Sequence, residues 1–392
     1  MAKGKKPLRK THAAGSRPPF ECIALLLQGG GSLGAYQGGV CQALAEAGIE
    51  PDWVAGISIG AINAAIVAGN PPETRIDSLR GFWEAVTFQT PWGWLAEAVW
   101  PPYRDHRVRT VLNQASAGVA LAAGIPGFFA PRVPSPWLQP LGTVEATSYY
   151  DTRFLAATLE RFVDFDRINA GTMHFSVGSV NVRTGNFVYF DSATHAIDAR
   201  HVMASGALPP GFPPVEIDGE HYWDGGLISN TPLQWVLHDG PRQDTLAFQV
   251  DLWSARGAFP RSVAEVATRQ KEILYSSRTR ENTDRFKEEQ VFRNAVAKLL
   301  DCLPAELRSG PDAAVLESFA DRKVYSIVHL IYRARQYEGQ SKDYEFSRRS
   351  MVEHWSAGYH DTVRTLRHPE ALTRPDDHFG LSVFDIERAG EA

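Results

Sequence analysis

The run Cys22-Ile23-Ala24-Leu25-Leu26-Leu27-Gln28 is apolar on successive residues and leads straight into Gly29-Gly30-Gly31-Ser32-Leu33-Gly34. Such a strand fits only the interior of a parallel sheet covered on both faces. The glycines make a tight turn. Residues 32–47 then space Leu33, Tyr36, Val40, Ala43, Leu44 and Ala47 three or four apart, as a helix requires, until Gly48 ends the pattern. The unit repeats at once. Residues 52–57 read as a short strand with Ser58 at its end, and residues 61–68 as a helix closed by Gly69 and the Pro71-Pro72 pair. Two βα units in series imply a parallel sheet with right-handed crossovers. Further strands are expected at residues 174–182, 187–190 and 245–252, so the fold class is α/β.

Composition sets outer limits. With 392 residues, 44% of them hydrophobic and 33 glycines, the chain can bury a large core, which excludes disorder of the bulk. The net charge of −5 hides an asymmetry: Lys3, Lys5, Lys6, Arg9, Lys10 and Arg17 precede the first acid. Setting those six aside leaves 34 basic side chains against 45 acidic ones, a balance of −11. Residues 1–20 are therefore expected as a disordered basic arm: a solvated leader first, a contact for anionic lipid or nucleic acid second. The negative main body argues against a nucleic-acid partner.

No signal-peptide stretch precedes Phe20, and no apolar run is long enough to cross a membrane. Cys22, Cys41 and Cys302 are odd in number and far apart, which speaks for a reducing compartment. A cytoplasmic location is expected, with peripheral membrane contact left open. No Cys or His grouping has zinc spacing, and Glu220, His221 and Asp224 read as a hairpin end; neither metal nor cofactor is assigned.

Residues 88–142 break the βα pattern with Trp92, Trp94, Trp100, Phe128, Phe129 and Trp137 among prolines and glycines. This cap-like insertion is either a lipid-entry surface or a set of rings packed inward. Residues 253–392 are expected as a mainly helical extension: a long or broken helix over 262–300, a strand over 323–332 and a last helix over 348–366. They carry no chemical motif.

Gly56-Ile57-Ser58-Ile59-Gly60 is a GxSxG pentapeptide between a predicted strand and a predicted helix. At such an elbow the serine backbone is strained, and the flanking glycines remove side chains that would collide. A serine nucleophile needs a base and donors for the oxyanion. Main-chain N–H groups of Gly29, Gly30, Gly31 and Gly34 can be the donors, because both loops leave the same edge of a parallel sheet. The same glycines match a dinucleotide fingerprint, but the acid expected near the end of the second strand is missing, and Ser58 stands there instead.

No late histidine, neither His238, His329, His354 nor His360, sits in a recognisable loop. The base is sought in Tyr222-Trp223-Asp224-Gly225-Gly226, where two glycines after an aromatic pair suggest a tight turn; a carboxylate serves if burial raises its pKa and the serine is in reach. A plain Asp-Gly hairpin turn is the competing reading.

In order along the chain, the glycine loop from Gly29 to Gly34, the elbow from Gly56 to Gly60 and the Asp224-Gly225-Gly226 turn resemble the hallmarks of the patatin-like phospholipases. The stretch from Ala204 to Pro214 looks like the serine- and proline-containing block of bacterial members. The resemblance covers roughly residues 23–238. It implies a three-layer α/β/α catalytic domain over 21–252, a Ser58–Asp224 dyad independent of histidine and calcium, and hydrolysis of lipid acyl esters. Leu33 departs from the Arg or Lys that many members carry there. A lipid-binding or scaffold protein that keeps the pocket with little turnover is the alternative.

Overall fold

The computed structural model describes residues 8–88, 106–240, 242–276, 279–335, 337–375 and 380–386. Its centre is a sheet begun by β1 (Cys22–Leu27) and β2 (Trp53–Gly56), each followed by a helix, α1 (Ala35–Glu46) and α2 (Ile59–Ala68). A 3-10 turn, Gly31–Gly34, leads into α1, so the first helix starts later than its apolar spacing suggests. A small hairpin pairs β3 (Ala130–Pro131) with β4 (Tyr150–Asp151). The sheet continues with β5 (His174–Asn181), β6 (Phe187–Asp191), β7 (Val215–Ile217), β8 (Glu220–Asp224) and β9 (Thr245–Asp251), then β10 (Tyr325–Ile331) and β11 (Leu381–Asp385).

The strand order is β11-β10-β9-β1-β2-β5-β8-β7, with β6 on the other side of β5. From β11 to β5 every pairing is parallel, and β6, β7 and β8 close the far end with antiparallel pairs. Alternation along β1 explains the two-sided burial. Ile23, Leu25 and Leu27 enter the large core under α1, α2 and the Arg348–Leu366 helix. Cys22, Ala24 and Leu26 enter a second core with Leu233, Leu237 and Phe286 on the opposite face. This is the expected mainly parallel sheet between helical layers.

Two expectations change. The segment after residue 252 is not an appendage, because β10 pairs with β9 from Tyr325 to Ile331 and extends the same sheet. The helix over 348–366 spans the expected residues and crosses α1 at van der Waals contact. A Cβ on Gly39 would stand 1.9 Å from the Trp355 carbonyl oxygen, and one on Gly358 would stand 2.0 Å from that of Tyr36. The basic arm is also not free from residue 8 onward: Arg9 N–H donates to the Arg367 carbonyl (2.7 Å), Ala14 N–H to that of Ala47 (2.9 Å), and Arg17 pairs with Asp52. Those partners hold it against the ends of two helices; residues 1–7 lie outside the described residues.

The cap-like insertion divides. Trp92, Trp94 and Trp100 lie outside the described residues. The helix His106–Ala123 occupies part of the stretch, Phe128 and Phe129 are buried, and Trp137 is 82% exposed. No helix among the described residues is long and apolar enough to cross a membrane.

Candidate active site

Leu27 and Gly56 are register partners at the ends of β1 and β2, so the loops that follow them leave the sheet side by side. Ser58 turns with φ 56°, a positive value that a side-chain-bearing residue holds only under strain. The flanking glycines have no substitute, since a Cβ on Gly56 would lie 2.2 Å from the Gly60 carbonyl oxygen and one on Gly60 would lie 2.2 Å from that of Leu27. Ser205 fixes the elbow from above: its hydroxyl accepts the Ser58 N–H (3.0 Å) and donates to the Gly178 carbonyl (2.7 Å).

Asp224 reaches Ser58 through the register of β5. Along one edge of β5, β2 pairs up to Val177, the partner of Gly56. There the chain of β2 turns away at the elbow, and β8 takes over the vacated lane, setting Asp224 opposite Ser179. The two residues are far apart in sequence and neighbours in space. The Ser58 hydroxyl and the Asp224 carboxylate line the same cavity, and the carboxylate accepts the Gly226 N–H at 2.7 Å. Asp224 is 2% exposed, and burial pushes its pKa up to about 6 against the opposing pull of the Ser58 hydroxyl and the Gly226 N–H. Gly225 allows the turn: a Cβ there would lie 2.6 Å from the Gly178 carbonyl oxygen.

Of the four glycines expected as oxyanion donors, Gly29, Gly30 and Gly31 line the same cavity as Ser58 and Asp224, while Gly34 does not. Gly34 is a packing glycine, whose Cβ would stand 2.6 Å from Ile59 and 2.9 Å from the Trp83 ring. Gly29 N–H is also spent, on the Asn230 carbonyl (3.3 Å). The Gly30 and Gly31 N–H groups find no acceptor among the described residues. Their setting is rigid. The Gly29 carbonyl accepts both Asn230 Nδ2 (3.0 Å) and Trp253 Nε1 (2.9 Å), and in a planar trans peptide this fixes the direction of the Gly30 N–H.

Sequence reasoning missed Asn230, Trp253 and everything that the C-terminal segment brings. Gly31 has φ +57°, and a Cβ there would stand 2.0 Å from the Asp343 carbonyl oxygen, which accepts the Ser32 N–H at 2.8 Å. The Ser32 hydroxyl donates to the Lys342 carbonyl (2.7 Å). Ion pairs tie this strand of chain to the helix Val263–Tyr275: Lys271 to Asp343 (2.6 Å) and Lys342 to Glu272 (2.7 Å). Leu33 is fully buried and outside the cavity lining, which includes Lys271 with its ion-pair partner Asp343.

The cavity measures about 350 Å³, a size that encloses a small ligand or one acyl chain. Phe128, Phe129, Tyr150, Phe212 and Phe346 form one cluster of edge-on and tilted rings along its wall, drawn from three parts of the chain. No histidine is among the lining residues, and His354 is instead buried against Glu338 (3.6 Å). Among the described residues no group of three His, Cys, Asp or Glu side chains is arranged to hold a metal.

A family model described as patatin-like phospholipase matches residues 25–237, and a second, described as patatin phospholipase, matches residues 273–378. No curated protein matches the chain. Among solved structures, VipD from Legionella pneumophila is similar at 15% identity over 93% of this chain and 71% of that one, with a TM-score of 0.37. ExoU in complex with SpcU, from the type III secretion system of Pseudomonas aeruginosa, shares 17% identity over 76% of this chain and 61% of that one, with a TM-score of 0.24. With the first match alone spanning more than half of its length, the chain belongs to the patatin-like phospholipase family of lipid hydrolases.

Proposed function

We propose that the chain is a serine acyl hydrolase that cleaves carboxylic esters of lipids through an acyl-enzyme, with Ser58 as nucleophile and Asp224 as its base. The observation that carries this reading is the convergence of Ser58, on its strained elbow, and the buried Asp224 carboxylate on one apolar cavity. Asp224 takes the Ser58 proton as Oγ attacks the ester carbonyl, and the Gly30 and Gly31 N–H groups hold the oxyanion. The alcohol or lyso-lipid leaves with that proton, and water, deprotonated by the same carboxylate, releases the fatty acid. The family match, the strained elbow and the two unspent amides support each step.

A fluorophosphonate probe tests the nucleophile. One label per chain, on Ser58, and none on Ser58→Ala is expected; labelling elsewhere, or undiminished p-nitrophenyl butyrate hydrolysis by Ser58→Ala, overturns the reading. Only the ionised carboxylate accepts a proton, so with a pKa of about 6 for Asp224, kcat/KM for a soluble ester rises with pH through that value and levels off above it. A rate that is flat across the acid range speaks against Asp224 as the base.

A further inference from the structure

The loop between β3 and β4 exposes its largest apolar side chains almost completely: Val133 at 88%, Trp137 at 82%, Leu138 at 76% and Leu141 at 99%. From Val133 to Val144 it contains no charged residue. Its polar backbone is turned inward on itself. Leu138 N–H donates to the Ser135 carbonyl (2.9 Å), Thr143 N–H to that of Pro140 (3.3 Å), and the Gln139 side chain to that of Pro134 (2.9 Å). These internal bonds lower the cost of taking part of the tip's backbone out of water.

The base of the same loop is the wall of the cavity. Phe129 and Tyr150 flank it and line the cavity, and Tyr149 and Tyr150 donate their N–H groups to Pro210 and Gly211, which line it too (3.0 and 2.9 Å). Tyr149, 45% exposed, and Phe154, 51% exposed, add apolar surface next in sequence to the lining residues Tyr150 and Leu155.

We propose that the uncharged tip carrying Val133, Trp137, Leu138 and Leu141 inserts into the surface of a lipid bilayer and sets the cavity against the membrane. The occupant is lipid rather than protein because the loop that carries the uncharged tip begins and ends on the cavity wall, at Phe129 and Tyr150, and this inference rests on the proposed hydrolysis. Trp137 is suited to the headgroup boundary and the two leucines to the acyl region. With no charge at the tip, the attraction is hydrophobic, so neutral lipid suffices and salt screens little of it.

Flotation with neutral phosphatidylcholine vesicles tests this, using Ser58→Ala so that binding is read without turnover. The parent protein is expected to float at both low and high salt, and the triple variant Trp137→Ser/Leu138→Ser/Leu141→Ser to partition at least about thirty-fold more weakly. Leu141→Ser alone, at a position with no packing to lose, is expected to weaken it about threefold. In the Ser58 background the triple variant should hydrolyse p-nitrophenyl butyrate within about twofold of the wild type, as expected for exposed positions outside the cavity. Partitioning unchanged by either variant, binding that needs anionic lipid and is lost in high salt, or self-association through the tip in place of vesicle binding each overturns the proposal. Loss of soluble-ester hydrolysis in the wild type would instead strike the proposed function and leave the vesicle result standing.

Discussion

Between Cys22 and Ala68 the chain runs strand, glycine turn, helix twice over, and the elbow glycines Gly56 and Gly60 answer to backbone a few residues away or in the neighbouring loop. From residue 253 to 386 the chain has no such punctuation, yet it lays two strands on the sheet and passes its backbone under the glycine loop. The first region shapes the proposed nucleophile by local backbone rules. The second holds the donors by contacts across more than three hundred positions of sequence, Ser32 to Lys342 and Asp343 among them. Reaction geometry thus has a local part and a long-range part, and substitutions can separate them.

The largest effect outside the dyad is expected at their junction. Gly31→Ala puts a Cβ 2.0 Å from the Asp343 carbonyl oxygen in a left-handed backbone, so the loop must shift, and kcat on a soluble ester should fall by ~10²–10³, the usual worth of an oxyanion donor. A fall below about threefold would mean that the C-terminal segment does not fix the loop. Trp253→Phe removes one of the two donors to the Gly29 carbonyl and keeps the ring; a drop of about tenfold in kcat with little change in KM is expected, smaller because Asn230 still holds the peptide. An unchanged kcat would assign Trp253 to packing alone. The smallest effect belongs to Arg17→Ala, which breaks an exposed ion pair with Asp52 far from the cavity; it should cost under about 1 kcal/mol in urea unfolding and leave the rate alone.

The comparison also explains what sequence could and could not reveal. β1, β2 and the elbow were readable because apolar patterning and glycine position are local signals. Ser58 and Asp224 could be named from their motifs, but their meeting depends on β8 entering the lane that β2 vacates beside β5, and register leaves no mark in either strand. Gly29 and Gly34 sit in the same glycine loop as Gly30 and Gly31, and only the contacts to Asn230, Ile59 and Trp83 set them apart. Asn230 and Trp253 carried no pattern at all. β11 and the hold of the C-terminal segment on Ser32 were missed because they consist of backbone pairing, which any residue can make.

The central claim concerns Asp224. Burial gives it a folded-state pKa of about 6, above the ordinary carboxyl value of 3.8, so the folded protein holds the extra proton between those values. Stability therefore falls as pH rises through that window, and above it the ionised carboxylate is a standing penalty on the order of 3 kcal/mol. Asp224→Asn removes that charge and the proton acceptor together. Measured side by side at neutral pH, the account predicts that soluble-ester hydrolysis by this variant falls by ~10³ or more while its melting temperature stays level or rises; a variant that keeps most of its activity, at whatever stability, would contradict it.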